Sequence, residues 1–196
     1  MHKVNLKSRR VPKTSKSFEK SIKKAEAELN EQLEKELDLV NCSLIIALNR
    51  YWNYKPERIG EILHVEEEVW NECGADKNMS MIRKCDEECD IELTNEDGVS
   101  YRTIMWLNAE DMRPLNDFEW LRFRQNQKKW SKAQMLACTF IALKRSEGWS
   151  DNRLAELMGR MDDIREEFEY DPRKLSQAAL DECNYDWLGK RLLEKE

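Results

Sequence analysis

The sequence contains few of the residues that interrupt helices, since its 196 residues include only six glycines and four prolines. It has no stretch of about 18 apolar residues, the length that a membrane-spanning helix needs. Its first residues are basic but lack the apolar segment of a secretory signal. Charged residues make up 37%, while seven tryptophans, five tyrosines and five phenylalanines argue against disorder. These features predict a cytoplasmic, mainly α-helical protein that does not associate with membranes.

The residues that most often carry catalysis are scarce. Histidine occurs only as His2 and His64. The sequence has no glycine-rich phosphate loop, no Gly-x-Ser-x-Gly elbow and no His-Glu-x2-His zinc motif. Carboxylate pairs are abundant, but acidic runs on helices are usually solvated faces, and no pair stands out as an acid–base pair. The sequence therefore predicts a protein that is not an enzyme and needs no cofactor.

Charge is distributed unevenly along the chain. Residues 1–24 contain nine lysines and arginines and one acid, a net charge of +8. The remaining residues contain 24 basic and 38 acidic side chains, a net charge of −14. This pattern predicts a flexible basic arm over residues 1–16 that contacts nucleic acid or an acidic protein surface. Its candidate contacts are Lys7, Arg9, Arg10 and Lys13. A solvated terminus without a partner is the alternative explanation.

Two parts of the sequence resemble each other. Residues 42–73 align with residues 137–168 at an offset of 95 positions, and the apolar positions keep their register. For example, Ile46-Ala47-Leu48-x-Arg50 falls on Ile141-Ala142-Leu143-x-Arg145. A shared register fixes which face of each helix is buried. The sequence therefore predicts a mainly α fold made of two tandem copies of a three-helix unit.

The two units are expected at residues 17–93 and 116–196, separated by a linker over residues 94–115. Each begins with a leader helix, at 17–39 and at 116–130. The second helices are expected to begin at Pro56 and after the candidate N-cap Ser150. The third helices are expected at about 79–89 and at 172–183, the latter opened by Asp171-Pro172. Within the linker, Asp97-Gly98 predicts a short β-hairpin.

The first helices after the leaders carry apolar residues at helical spacing, which predicts that these stripes are buried. The stripe residues are Leu37, Val40, Leu44, Ile45 and Leu48 in the first copy, and Met135, Leu136, Phe140, Ile141 and Leu143 in the second.

Six cysteines occur in the chain, and in a reducing compartment they are expected to be free thiols. A zinc site of His64, Cys73, Cys85 and Cys89 is one interpretation, because Cys85 and Cys89 lie one helical turn apart. The matching positions of the second copy are Gly159, Phe168, Ala179 and Cys183, so two of the sulfurs are replaced by apolar groups. Small buried apolar side chains explain these cysteines better, and no metal is expected.

The leader helix of the second unit carries a basic patch interleaved with aromatic residues. Cations beside aromatic rings suit phosphate contacts and base stacking, which makes the patch a candidate nucleic-acid site. The alternative is that the aromatic residues are core and the cations pair with the acidic body. The basic residues are Arg122, Arg124, Lys128, Lys129 and Lys132, and the aromatic ones are Trp120, Phe123 and Trp130.

The second helix of each unit is acidic, which argues against a helix-turn-helix protein that reads DNA, because phosphates would repel it. Dense acidic faces instead favour rapid association with a basic macromolecular surface. The candidate partner-binding residues are Glu66, Glu67, Glu68, Asp162, Asp163, Glu166 and Glu167.

Two motifs of the first copy resemble a family of small helical proteins encoded by phages and prophages of Gram-positive bacteria. They are Ala47-Leu48-x3-Trp52-x-Tyr54-x3-Arg58-Ile59 and Glu87-Glu88-Cys89-Asp90-Ile91-Glu92-Leu93. A single unit of that family carries an Ala-Leu…Phe-Gly-Phe-Gly…Arg pattern and a closing Glu-Glu-x-Gly-Ile-x-Leu. This chain departs from it at Asn53 and Lys55, where the family has glycine, whereas the second copy keeps Gly148.

The resemblance implies a phage origin, and phage accessory proteins of this size and charge include anti-CRISPR and other anti-defence inhibitors. We therefore expect a phage-encoded inhibitor that docks on a host protein or ribonucleoprotein complex that handles nucleic acid, such as a CRISPR effector nuclease. The alternative is a nucleic-acid-binding phage regulator that uses the basic arm and the helix over residues 122–132. A virion assembly protein and a homodimer also remain open.

Overall fold

The computed structural model describes residues 16–73, 77–89, 91, 93 and 117–189. Helices take up 86% of the described residues and none of these residues lies in a β-strand, which confirms the mainly α prediction. Apart from Lys16, which is the first residue of α1, the predicted basic arm lies outside this part of the chain, as does the predicted hairpin at Asp97-Gly98. The helices are α1 (Lys16–Trp52), α2 (Pro56–Glu72), α3 (Lys77–Cys89), α4 (Asp117–Glu147), α5 (Asp151–Glu167) and α6 (Pro172–Cys183).

The longest helices, α1 and α4, continue through the positions where the sequence predicts helix boundaries. The predicted leader helices at 17–39 and 116–130 are not separate elements, because each runs without interruption into the first helix of its unit. Neither α1 nor α4 contains a glycine or proline that would end it. The described side chains of α1 from Lys20 to Lys35 are exposed, and burial begins near Leu37. No described helix is both long and apolar enough to cross a lipid bilayer.

The ends of α1 and α4 use the same backbone device. Asn53 and Gly148 have positive φ angles of 55° and 63°, and their N–H groups donate to the carbonyls of Asn49 and Lys144. A left-handed residue after the last turn satisfies helix carbonyls that would otherwise lack donors. Glycine adopts this conformation without strain, and asparagine tolerates it better than most residues.

The predicted starts of the later helices are largely confirmed. Pro56 is the first residue of α2, and Asp171 caps α6 by accepting hydrogen bonds from the N–H groups of Arg173 and Lys174. Ser150 does precede α5, but its side chain makes no capping hydrogen bond. The second and third helices therefore begin close to where their sequence signals put them.

Helices of the first half of the chain pack on helices of the second half. The main contacts join α1 to α4, α5 and α6, and join α4 to α2 and α3. The buried apolar residues of all these helices form a single cluster. Both predicted stripes belong to this core, where Leu37 alone is only partly buried. The two predicted units thus share one hydrophobic core.

Most matching helix bounds lie 95 positions apart, whereas the starts of α1 and α4 differ by 101 positions and the ends of α3 and α6 by 94. α1 ends at Trp52 and α4 at Glu147, which is 95 positions later, and the same interval separates the starts of α2 and α5 and of α3 and α6.

Two arginines, at the ends of α1 and α4, each bind two glutamates from the opposite half of the chain. Arg50 donates through Nη1 to Glu167 over 2.6 Å and through Nε to Glu182 over 2.7 Å. These hydrogen bonds, with Glu182 and then Glu167, raise the pKa of Arg50. Since both glutamates lie on helices that pack against α1, the arginine ties α5 and α6 to its end.

Arg145 makes the matching contacts at the end of α4. It donates through Nη1 to Glu72 over 2.9 Å and through Nε to Glu88 over 2.9 Å. The hydrogen bonds from Arg145 and then Lys84 lower the pKa of Glu72 to about 2. We refer to the groups around Arg50 and Arg145 as the two arginine clamps.

The turns that follow α1 and α4 meet at a contact between Tyr54 and Trp149, which are also 95 positions apart. Nε1 of Trp149 donates to the Tyr54 hydroxyl over 3.2 Å, and this hydroxyl donates to Glu147 over 2.9 Å. Arg58 also donates to Glu147 and lowers the pKa of that carboxyl. Tyr54 and Trp149 are 7% and 1% exposed, so their polar groups depend on each other.

We expect Tyr54→Phe to lower the free energy of unfolding by about 1–3 kcal/mol, because it leaves the buried indole N–H of Trp149 without its acceptor. Urea denaturation followed by circular dichroism measures this loss. Tyr170→Phe is the matched control, since Tyr170 is 44% exposed, and it should change stability by less than about 0.5 kcal/mol. Equal effects of the two substitutions would contradict this role of the Tyr54 hydroxyl.

Candidate functional surfaces and a buried carboxylate

The predicted basic contacts fall mostly outside the described residues. Lys7, Arg9, Arg10 and Lys13 precede α1, and the side chains of Arg122, Arg124, Lys128 and Lys129 are also outside the described part of the structure. Lys132 is described and exposed, and its Nζ lies 3.5 Å from Oδ1 of Asp162. For this one residue, pairing with the acidic body agrees with the alternative explanation of the basic patch.

The acidic face of α2 is formed by side chains on its solvent side. Glu67 and Glu68 are exposed, as are Glu57 and Glu61 on earlier turns of the same helix. Among the described residues, the ring nitrogens of His64 lie 3.8 Å from carboxylate oxygens of Glu67 and Glu68. No lysine or arginine of the described part of the chain neutralises this pair of glutamates.

The acidic residues of α5 divide into paired and unpaired side chains. Glu167 belongs to the Arg50 clamp, and Asp162 accepts a hydrogen bond of 2.5 Å from Arg165. Asp163 and Glu166 are exposed and have no ion-pair partner among the residues that the structure describes. The exposed acids that remain from the predicted set are therefore Glu67, Glu68, Asp163 and Glu166.

Glu66 was predicted to lie on the acidic face, and this prediction is wrong. It is only 8% exposed, because it shares the inward face of α2 with Ile59, Ile62 and Val69. Its neighbours Glu67 and Glu68 point outward. A helix turns by about 100° per residue, so a run of three glutamates cannot keep all its members on one side.

The carboxyl group of Glu66 is poorly compensated. Its Oε1 atom has no hydrogen-bond partner among the described residues. Burial raises the pKa of Glu66 to about 7, and the Thr139 hydroxyl, which donates to the Met135 carbonyl over 3.1 Å, opposes this rise. A buried acceptor without a donor costs stability unless something else satisfies it.

Glu66 lines a cavity of about 560 Å³. Its walls come from α1, α2, α4 and the segment that follows α6, and they include Asn41, Trp70 and Met135. The volume lies within the range of about 300–1,000 Å³ that is typical of small-molecule sites. Local sequence patterns do not reveal this site, because its residues come from four separate segments.

A second buried charge lies in the other half of the chain. Arg165 is 1% exposed, and its Nη2 donates to Asp162, while its Nε has no hydrogen-bond partner within the described ranges. Its charge is therefore compensated by a carboxylate, whereas Glu66 has no basic partner among the described side chains.

The cysteines are free thiols in this structure, and most are buried. Cys85 and Cys89 lie in the core, and the hydrogen bond between them, together with burial, raises the pKa of Cys85. His64 is exposed on α2, whereas Cys85 and Cys89 are fully buried. Within the described ranges, no three His, Cys, Asp or Glu side chains converge as a metal site requires.

No protein-family model, curated protein or solved structure matches this chain. An assignment of function therefore has to come from its own residues.

The pKa of Glu66 makes stability depend on pH. Folding raises this pKa from 4.5 to about 7, so the folded state binds the proton more tightly than the unfolded state does. The contribution of Glu66 to stability is therefore fully present below pH 4.5 and is lost as the pH rises through 7. Relative to Glu66→Gln, the wild type should lose about 3 kcal/mol of unfolding free energy across this interval.

Urea denaturation of both proteins between about pH 4 and pH 8 measures this difference. Glu68→Gln is the control, because Glu68 is an exposed carboxylate on the same helix. The difference in unfolding free energy between this variant and the wild type should hardly change with pH. A flat difference for Glu66→Gln as well would show that the buried carboxyl titrates normally.

Proposed function

We propose that the chain consists of two copies of one helical unit, folded into a single intertwined body. The interval of 95 positions that most matching helix bounds share supports this proposal. The arginine clamps support it independently, since Arg50 and Arg145 are also 95 positions apart and each binds the second and third helices of the opposite half. Tyr54 and Trp149 occupy equivalent positions of the two proposed copies. Their contact agrees with a two-fold arrangement, because equivalent residues meet near a two-fold axis.

The body acts, in this proposal, as a binding protein without catalytic activity. Many of its acids form ion pairs within the protein, including Glu72, Glu147 and Glu182. The observation that carries the proposal is that Glu67, Glu68, Asp163 and Glu166 stay exposed without a lysine or arginine partner among the described residues. Unneutralised carboxylates on rigid helices suit docking on a basic surface, where they speed association and select the partner.

The partner that best fits this chemistry is a protein or ribonucleoprotein with a basic nucleic-acid channel. Such a channel is built to receive a regular array of negative charge, and acidic helices can occupy it in place of nucleic acid. Together with the sequence resemblance to phage proteins, this leads us to propose a phage-encoded anti-defence inhibitor that docks on a CRISPR effector nuclease.

Neutralising the four exposed acids should weaken this docking. We expect Glu67→Gln, Glu68→Gln, Asp163→Asn and Glu166→Gln, combined in one variant, to reduce affinity for the effector by about tenfold or more, mainly through slower association. Surface binding kinetics with purified effector ribonucleoproteins at low and at physiological salt measure this. The control combines Glu31→Gln with Asp181→Asn, exposed acids on α1 and α6, and it should keep wild-type kinetics.

Absence of binding to any effector at low salt would reject the docking proposal. The regulator alternative has its own measurement, a gel shift with single- and double-stranded nucleic acid. If the wild type shifts nucleic acid and the combined variant Lys7→Gln, Arg9→Gln, Arg10→Gln and Lys13→Gln does not, the basic arm is the functional element, as the regulator alternative requires.

A further inference from the structure

The Glu66 cavity has features of a ligand site, and Glu67 is the one residue that it shares with the proposed docking surface. It is lined by four segments of the chain and has a volume of about 560 Å³. Leu37, Leu63 and Met135 supply apolar walls. The polar side chains of the lining are Asn41, His64, Glu66, Glu67 and Tyr185. Sites for small molecules have this composition, in which apolar walls supply contact area and a few polar groups fix orientation.

The buried acceptor in this cavity is the carboxyl group of Glu66, whereas Glu67 is exposed. The side chain is more than nine-tenths buried, and Oε1 has no hydrogen-bond partner among the described residues. No described lysine or arginine forms an ion pair with it. Burial of a carboxylate without compensation is unfavourable, so the group that would satisfy it is a hydrogen-bond donor with positive charge.

Aromatic rings make up another part of the wall. Trp70, Tyr185 and Trp187 all line the cavity. Trp187 is held in place by its Nε1 atom, which donates to Oδ1 of the buried Asp38 over 2.9 Å. Aromatic rings attract organic cations through their faces and also cover apolar ligand surface.

We propose that this cavity binds a small organic cation, a protonated amine on an apolar or aromatic body. The ammonium group donates to the Glu66 carboxylate, and the body of the ligand contacts the aromatic and aliphatic walls. In this arrangement Glu66 binds the charged group of the ligand, and Trp70, Trp187 and their neighbours contact its apolar part.

The second half of the chain offers a comparison that rests on the proposed duplication. The position that corresponds to Glu66 is Met161, which is fully buried. The fold therefore accepts an apolar side chain at this point of the second helix, and a carboxylate there is not needed for packing. The position that corresponds to Trp70 is Arg165, so the second half lacks both the acceptor and the aromatic wall.

Binding of benzylamine, 2-phenylethylamine and tryptamine to the full chain tests the proposal, with 2-phenylethanol as a neutral probe of similar shape. Isothermal titration calorimetry and the fluorescence of the tryptophans give the affinities. We expect saturable one-to-one binding of at least one amine. Its affinity should exceed that of 2-phenylethanol by about tenfold or more, since a buried charge-assisted hydrogen bond distinguishes the two probes.

Two variants test the role of the carboxylate. Glu66→Gln and Glu66→Met should each weaken amine binding by about 30-fold or more, because either change removes one partner of a buried charge pair. The methionine variant copies the residue of the second half, so it is expected to fold, and far-UV circular dichroism verifies this. Glu68→Gln removes an exposed carboxylate of the same helix and should bind the amine as the wild type does.

The possible results separate this proposal from others. Failure of all three amines to bind saturably, or equal affinity in the wild type and a folded Glu66→Gln variant, would overturn it. Equal losses in Glu66→Gln and Glu68→Gln would also overturn it, because they indicate general attraction of amines to an acidic surface. The variant that neutralises Glu67, Glu68, Asp163 and Glu166 should lose binding to the effector. If the amine site is as proposed, Glu66→Met should keep binding to the effector and lose binding of the amine.

Discussion

Two helices of 37 and 31 residues, α1 and α4, each present an apolar stripe that has to be covered. They bury part of these stripes against each other. The rest of the α1 stripe is covered by α5 and α6, and the rest of the α4 stripe by α2 and α3. Because buried apolar residues of both halves form one cluster, neither half has a core of its own in this arrangement. The arginine clamps are possible only because this packing brings the ends of α1 and α4 to helices from the other half. Hydrophobic burial thus decides the architecture, and the ion pairs specify how the helix ends meet.

The carboxylates of this acidic body have three different environments. Some are hydrogen-bonded to the arginines of the clamps, which lower the pKa values of Glu72 and Glu167. Those on the outer sides of α2 and α5 remain available to a partner. Glu66 belongs to neither group, because burial raises its pKa instead. The net charge therefore says little about the interactions of any one acid, and only the position of each side chain on its helix separates the three groups.

Much of the helical content was predictable from the sequence, since the apolar stripes, Pro56 and Asp171 are local signals that the structure confirms. The change from charged to apolar composition predicts a boundary within α1, but the helix continues because no helix-breaking residue stands there. Three adjacent glutamates predict one acidic surface, and this is wrong for Glu66 because it faces the core. The partners of Arg50 could not be predicted, because periodicity identifies a buried face but not the segment that covers it. The cavity is harder still, as its walls come from four distant segments.

The continuity of α1 also affects how far the chain can reach. From Lys16 to Asn30 this helix precedes the residues that border α6, and 15 helical residues rise by about 22 Å. A helical segment of this length works as a stiff spacer, because it keeps its direction where an unstructured tether of the same length would not. Whatever precedes Lys16 is attached to the tip of that spacer, at a fixed distance from the acidic faces. A partner engaged at both places would consequently have to be a large assembly, with its two binding sites separated by a span comparable to the spacer.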